Sequence, residues 1–180
     1  MACDIANGRV ESCKDSVSGL DAIYFVNFGI ESSDVTYTTG TDEVSAVDGV
    51  TSLYKYELKG NNSFEQTITS SRENGTTFFE QVLSIELKKQ DLATTKTVKL
   101  LAYGRPHIVI RNRAGQFKIA GLFRGMDLTA GSISDGVAMG DFNGYKLTFT
   151  GMENVPANFL DASTEAELAA LFDASTIVTA

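Results

Sequence analysis

The sequence predicts a mainly β fold, either a β-sandwich or a small barrel, with a long hairpin, one flanking α-helix and a short C-terminal helix. Short runs of alternating polar and apolar residues recur along the chain, an Asn-Gly pair separates two of them, and few segments have helical spacing. Hydrophobic residues make up 43% and charged residues 21% of the chain, as in folded domains. We expect one β-rich domain over residues 1–160 and a C-terminal arm over 161–180.

The strongest local pattern lies between Ser63 and Lys88, where two alternating runs flank Asn74 and Gly75. Asn-Gly favours the positive φ angles of a two-residue type I′ turn, and this loop would place Ile68 opposite Gln81. Apolar residues gather on one face of the resulting hairpin, and Phe78 and Val82 fall on the other. The candidate assembly residues of the hairpin are Phe64, Ile68, Asn74, Gly75, Phe78, Phe79, Val82 and Leu83.

A free-standing ribbon of two strands is marginal in water, so the apolar face needs cover from the rest of the domain or from a neighbouring subunit. This is a physical argument for partners, and copies of the same chain are the expected ones. The opposite face is rich in carboxylates and hydroxyls. These polar residues include Glu65, Thr67, Thr69, Glu80 and Glu86.

Alternation also predicts shorter strands, and a second hairpin closes at Arg113-Ala114-Gly115. Basic residues cluster in sequence around this hairpin, as a solvated strand face or as a positive patch that meets an acidic patch on an identical neighbour. The candidate basic interface patch comprises Arg105, Arg111, Arg113, Lys118 and Arg124. The other predicted strands are Ala22 to Phe28, Leu53 to Lys59, Pro106 to Arg113, Gln116 to Arg124, Met126 to Ala130 and Tyr145 to Met152.

Two segments have helical spacing. Asp91 can cap a helix that ends before Gly104, with Leu92, Leu100 and Leu101 near one stripe. Thr164 and Glu167 fit a capping box at the start of a shorter helix between Ser163 and Ala174, which would lie over its own domain or over a neighbour. Gly29 to Thr51, rich in small polar residues, predicts a long connection.

The residues favour a structural role over catalysis. The single histidine, His107, follows Pro106 at the start of an apolar strand, which favours a packed or edge imidazole over an acid-base group. Cys3 and Cys13 are too few for a disulfide framework or a zinc site. The net charge of −8 disfavours binding to nucleic acid phosphates or to an anionic membrane. We therefore expect no enzymatic activity, no metal, no cofactor and no membrane partner, and a chain that stays in the cytoplasm where it is made.

Several segments resemble structural proteins of tailed bacteriophages, and the likeness covers most of residues 3 to 160. The opening segments are Asn7 to Arg9, Cys13 to Val17, Gly19 to Leu20 and Ala22 to Asn27. Further segments are Phe64 to Thr67, Ser71 to Phe78, Leu101 to Pro106, Met139 to Asp141 and Gly144 to Thr150. Together they resemble the tail-tube family.

The resemblance implies a subunit that pairs a β-sandwich or barrel with a flanking helix and joins hairpins around a ring, hexameric in tubes, to form a DNA conduit. The candidate lumen-facing residues of such a ring are Glu65, Thr67, Thr69, Glu80 and Glu86. The resemblance also implies a place in the virion tail, other virion proteins as partners, and DNA that passes without specific binding. The same fold serves neck rings and tail terminators, and a capsid-decorating protein is a further alternative. A small hydrolase or glycan-binding module is a more remote one.

Overall fold

The computed structural model describes residues 5, 7–11 and 13–179, which form twelve strands and two helices. The elements in the first half of the chain are β1 Leu20–Val26, β2 Val35–Tyr37, β3 Val44–Val47, β4 Ser52–Glu57, β5 Ser63–Ser71 and β6 Thr76–Lys88. Those in the second half are α1 Leu92–Tyr103, β7 His107–Asn112, β8 Phe117–Ala120, β9 Asp127–Ser134, β10 Gly144–Glu153, β11 Asn158–Phe159, α2 Glu165–Leu171 and β12 Thr176–Val178.

The described strands form three open sheets, which confirms the mainly β prediction and gives a sandwich instead of a closed barrel. One sheet has six strands in the order β11-β8-β7-β1-β4-β12, and a second has four strands in the order β5-β6-β10-β9. A third sheet is the two-stranded β2–β3 ribbon.

The six-stranded sheet is the middle layer of the molecule. On one face, Ile23 and Phe25 pack with Leu83 and Phe149 of the four-stranded sheet. On the other face, side chains of β1 and β7 pack against the β2–β3 ribbon and α2. This second core contains Tyr24, Val44, Val47, Val109, Leu168 and Phe172. Because both faces are covered, β1 is buried at nearly every position instead of at alternate ones.

Helix α1 begins and ends as predicted, but its buried side differs. Asp91 accepts a hydrogen bond from Thr94 N, and Gly104 is the C-cap. Val98 is buried and Leu101 packs against the core, whereas Leu92 is 89% and Leu100 59% exposed. The predicted leucine stripe is therefore wrong at two of its three positions, because Val98 and Leu101 lie on the side of the helix that meets the sandwich.

The segment from Gly29 to Thr51 is not the unstructured connection that its composition predicted. It contains the β2–β3 ribbon, and its apolar residues are buried against the middle sheet, including Ile30, Val35, Val44, Val47 and Val50. Strands of three and four residues leave too short an alternation to be recognised in a segment rich in Ser, Thr and Asp.

His107 joins three segments inside the molecule. Its Nε2 accepts hydrogen bonds from the N–H groups of Gly29 and Ile30, at 3.2 and 3.3 Å, and its Nδ1–H donates to Gly121 O at 2.6 Å. These partners fix the neutral tautomer. Burial lowers the pKa of His107. The packed imidazole, one of the two positions predicted from the sequence, is confirmed.

The C-terminal segment lies on its own domain. The predicted capping box forms between Thr164 and Glu167, and Leu168 and Leu171 are buried. Beyond α2, β12 pairs in parallel with β4 and becomes an edge of the middle sheet. Cys13 is exposed, whereas Cys3 lies outside the described residues. Neither helix of the described chain has the length and apolarity needed to cross a bilayer.

Candidate assembly surface

The β5–β6 hairpin forms, but its turn is longer than predicted. Ser71 lies opposite Thr76 and Ile68 opposite Phe79, so four residues, 72–75, reverse the chain. Gly75 has a positive φ of 61° and Asn74 does not, which excludes the type I′ turn. The expected pairing of Ile68 with Gln81 is therefore wrong, and the true partner, Phe79, lies two residues earlier in β6. Because side chains alternate with a period of two, the assignment of residues to faces is unchanged.

The inward face of the hairpin is only partly covered. Leu83 is buried in the sandwich, and Phe64 packs against the same core. Toward the turn, the pairing of β6 with β10 ends at Phe79, and the hairpin continues beyond that point. Ile68 is therefore 66% exposed. The hairpin therefore extends beyond the body of the molecule and presents apolar surface there.

The outward face of the four-stranded sheet, called the polar face below, faces away from the core. Pairing places Thr67 opposite Glu80, and Lys146 contacts Glu86 with 3.2 Å between Nζ and Oε1. All five candidate lumen-facing residues lie on this face. Strands β9 and β10 add hydroxyls to it, and these were missed in the sequence because strand order cannot be read from local alternation. The added groups are Thr129, Thr148 and Thr150.

Three large apolar residues interrupt the polar face, and two of them, Phe78 and Val82, were expected there from their sequence positions. Phe78 lies opposite Thr69, and Val82 lies between Glu65 on β5 and Thr150 on β10. Both Phe78 and Val82 are partly exposed. Met152 on β10 lies opposite Glu80 and is 53% exposed, so this face mixes carboxylates, hydroxyls and one ion pair with three large apolar side chains.

The edges of the two large sheets differ. The six-stranded sheet ends in β11 and β12, which have two and three residues. The four-stranded sheet ends in β5 and β9, which have nine and eight residues and contain no Lys and no Pro. Short strands, lysines and prolines are the usual means of preventing edge-to-edge association. The four-stranded sheet therefore ends in two long strands that lack these devices, and helix α1 lies beside one of them, with Gln90 bound to Ser134 O and Arg105 to Asp127 of β9.

The five residues of the candidate basic patch do not form one surface. Arg105 and Arg113 lie beyond opposite ends of β7, roughly 25 Å apart by the rise of a strand. Arg105 binds both carboxylate oxygens of Asp127 on β9. Arg124 lies near the Arg105 end of β7, since Met126 N donates to Pro106 O two residues further along the chain.

The other three basic residues lie at the β7–β8 hairpin, where Arg113 contacts Gly19. Arg111 lies over the Phe117 ring, and its Nη1 is 3.8 Å from Glu165 Oε1. Lys118 Nζ is 4.5 Å from the centre of the Phe159 ring on β11. Two of the three basic groups are thus held by contacts within their own chain. The five basic residues, which are close in sequence, therefore lie at two separate places in the fold.

One ionic cluster attaches α2 to the middle sheet. Glu165 accepts hydrogen bonds from Lys55 Nζ at 2.7 Å and from Tyr24 OH at 2.9 Å, with Arg111 nearby. The hydrogen bond from Lys55 lowers the pKa of Glu165. Burial, followed by the bond to Glu165, raises the pKa of Tyr24. Lys55, Tyr24 and Glu165 thus satisfy one another and stabilise the fold, whereas the buried Nε of Arg111 has no hydrogen-bond partner among the described residues.

The described residues contain no candidate metal site. Their Asp, Glu, Cys and His side chains form no group of three with the geometry to hold a metal ion. Asp141, in the segment between β9 and β10, accepts hydrogen bonds from Val137 N and Ala138 N. That segment is a turn.

Comparison with known proteins adds no identification to these features. No protein-family model, no curated protein and no solved structure matches the chain.

Proposed function

We propose that this chain is a virion structural protein of a tailed bacteriophage, a tail-tube subunit whose four-stranded sheet joins identical sheets into a ring around a DNA conduit. The observation that carries the proposal is the contrast between edges: β11 and β12 are too short to recruit a strand, whereas β5 and β9 are long and contain no Lys or Pro. The resemblance of the sequence to tail-tube proteins supports the same role.

The strand order suits ring closure. All three pairings in the sheet are antiparallel, so β5 and β9 run in opposite directions. When a copy is rotated about a ring axis, its β5 meets the neighbour's β9, and the antiparallel alternation continues through the contact. A sheet with an odd number of alternating strands would force a parallel pair there, which is slightly less stable.

The diameter of the proposed ring can be compared with the width of duplex DNA. The resemblance implies six copies, and six four-stranded sheets supply about 24 strands. Strands spaced about 4.8 Å apart and tilted by about 40° then close a barrel of roughly 50 Å backbone diameter. The interior would remain wide enough for duplex DNA after side chains are added. Because the other face of the sheet is packed against the middle layer, the polar face is the one available to line this interior.

The chemistry of the polar face supports passage of DNA without adhesion. Glu65 and Glu80 repel phosphates, and the hydroxyls of Thr67, Thr129 and Thr150 present no fixed positive charge. Lys146, the basic residue on β10, is neutralised by Glu86. Non-specific binding of DNA requires basic groups that displace its counterions, and this face has few basic groups.

Imaging of purified protein by electron microscopy, together with light scattering over a concentration series, tests the proposal. We expect rings that stack into tubes as concentration rises. A neck or terminator ring would form rings that do not extend. A capsid-decorating protein would stay small alone and bind a capsid shell. A strictly monomeric chain at every concentration would refute the assembly role.

A further inference from the structure

The loop between β9 and β10, residues 135–143, projects two apolar side chains into solvent. Val137 is 101% and Met139 110% exposed. The loop is well formed, because the Asp141 carboxylate accepts from Val137 N at 2.9 Å and from Ala138 N at 2.7 Å. Gly136 has a φ of 75° and leaves no room for a Cβ beside Asp141. The turn therefore holds both apolar side chains away from their own domain.

An apolar groove of about 360 Å³ lies elsewhere on the molecule, between the end of α1, the end of β1 and strand β4. Aromatic and aliphatic side chains dominate its wall, and Arg105 is the one charged residue among the described residues that line it. The principal lining residues are Phe25, Phe28, Tyr54, Tyr56, Leu100 and Arg105. Phe28 is 56% and Leu100 59% exposed.

The loop and the groove lie at opposite ends of the same two elements. Gln90, just before α1, donates to Ser134 O at the end of β9. Arg105, just after α1, binds Asp127 at the start of β9. Helix α1 has twelve residues and is therefore about 18 Å long. The loop of one copy thus cannot reach its own groove, whereas a second copy placed end to end can supply its loop.

We propose that Val137 and Met139 of one copy dock into the α1–β1–β4 groove of the next copy, and that this contact stacks copies along the strand direction of the four-stranded sheet. Such a head-to-tail contact does not close on itself and extends indefinitely. This inference rests on the proposed function and adds the contact between rings to the lateral contact through β5 and β9.

Charge and shape both favour a second copy as the occupant. The loop carries Asp135 and Asp141 and no basic residue, and Arg105 of the groove keeps Nη1 as a donor because Asp127 occupies Nε and Nη2. Methionine is unbranched and flexible, and it fills irregular apolar sites well. The groove lies on α1 and the middle sheet, away from β5, so lateral pairing and stacking can form together.

The double variant Val137→Ser/Met139→Ser tests the contact, with Val10→Ser as a matched control at an apolar residue that is 89% exposed. We expect the double variant to form single rings in place of tubes and the control to form tubes like the wild type. A double variant that forms normal tubes would overturn the docking and leave the proposed function standing. A wild-type chain that never assembles would overturn both.

Directed disulfide formation gives a second test. In a background in which Cys3 and Cys13 are Ser, differently tagged copies carrying Met139→Cys and Leu100→Cys are mixed and oxidised. We expect a covalent dimer that contains both tags, at a yield at least about tenfold above that of a Val10→Cys and Leu100→Cys mixture. Equal yields from the two mixtures would refute docking of the loop in the groove.

Discussion

Thr67 on β5 lies directly opposite Glu80 on β6, and both side chains leave the sheet on its polar face. If this face lines a conduit, reversing its charge should turn a non-adhesive wall into a DNA-binding one. We expect tubes of Glu65→Lys/Glu80→Lys, assembled in the presence of duplex DNA, to retain DNA that is protected from nuclease and released by rising salt. Wild-type tubes should retain little.

The control for this experiment carries the same charge change at Glu31→Lys/Asp48→Lys. Glu31 and Asp48 are exposed next to the β2–β3 ribbon, on the side of the middle sheet that faces away from the four-stranded sheet. DNA bound there should be digested by nuclease. Equal protection in both variants would contradict the assignment of the polar face to the interior.

Proline substitutions in β5 separate folding from lateral assembly. Along an edge strand, successive N–H groups point alternately to the paired neighbour and to the open side, so Thr67→Pro and Ile68→Pro remove donors of the two kinds. We expect one variant to lose a ladder bond and about 1–3 kcal/mol of unfolding free energy. The other should keep its stability and lose ring formation.

Denaturant unfolding and light scattering on both proline variants supply the comparison. The wild type is the reference for each measurement. If the variant that retains its stability still forms rings, the open edge of β5 is not the lateral contact.

Removing the charge of Glu165 should destabilise the docking of α2. The pKa of Glu165 is lowered in the fold by its hydrogen bond from Lys55, so the carboxylate stabilises the fold at pH values above its unfolded pKa of about 4.3. Glu165→Gln should therefore cost about 1–2 kcal/mol at neutral pH. The difference from wild type should shrink as pH falls from about 4.3 toward the lowered pKa.

Urea unfolding at a series of pH values measures this difference. Glu73→Gln, in the exposed β5–β6 turn, is the matched control and should have little effect at any pH. A cost for Glu165→Gln that persists unchanged below pH 4 would show that shape, and not charge, anchors α2.

Loss of the imidazole should destabilise the junction that His107 forms. His107→Ala leaves Gly29 N, Ile30 N and Gly121 O without their partner, and we expect a loss of about 2–4 kcal/mol. Burial lowers the pKa of His107, so wild-type stability should decrease as pH falls from about 6.5 toward that lowered value. The alanine variant should lack this part of the pH dependence, and a variant that retains it would refute the assignment.

Local pattern predicted most strands, both helix caps and the faces of the long hairpin, because these depend on neighbouring residues. The hairpin faces were correct despite the wrong turn, since the register error of Ile68 was an even number of residues. Exposure of Leu92 and Leu100 could not be predicted, because the side of α1 that meets the sandwich is set by the packing of distant strands. The open edges of β5 and β9 depend on strand order, which local alternation does not encode.

The parallel pairing of β12 with β4 has a consequence for biosynthesis. Residues 176–178 pair with 52–54, so a growing chain on the ribosome carries β4 for more than a hundred residues of synthesis before its outer neighbour exists. During that interval β4 is itself the edge of the middle sheet, and the site of Leu168 and Phe172 in the core is unfilled. Pairing of β12 therefore replaces a six-residue edge strand by a three-residue one, and only then do β5 and β9 become the long edges of the molecule.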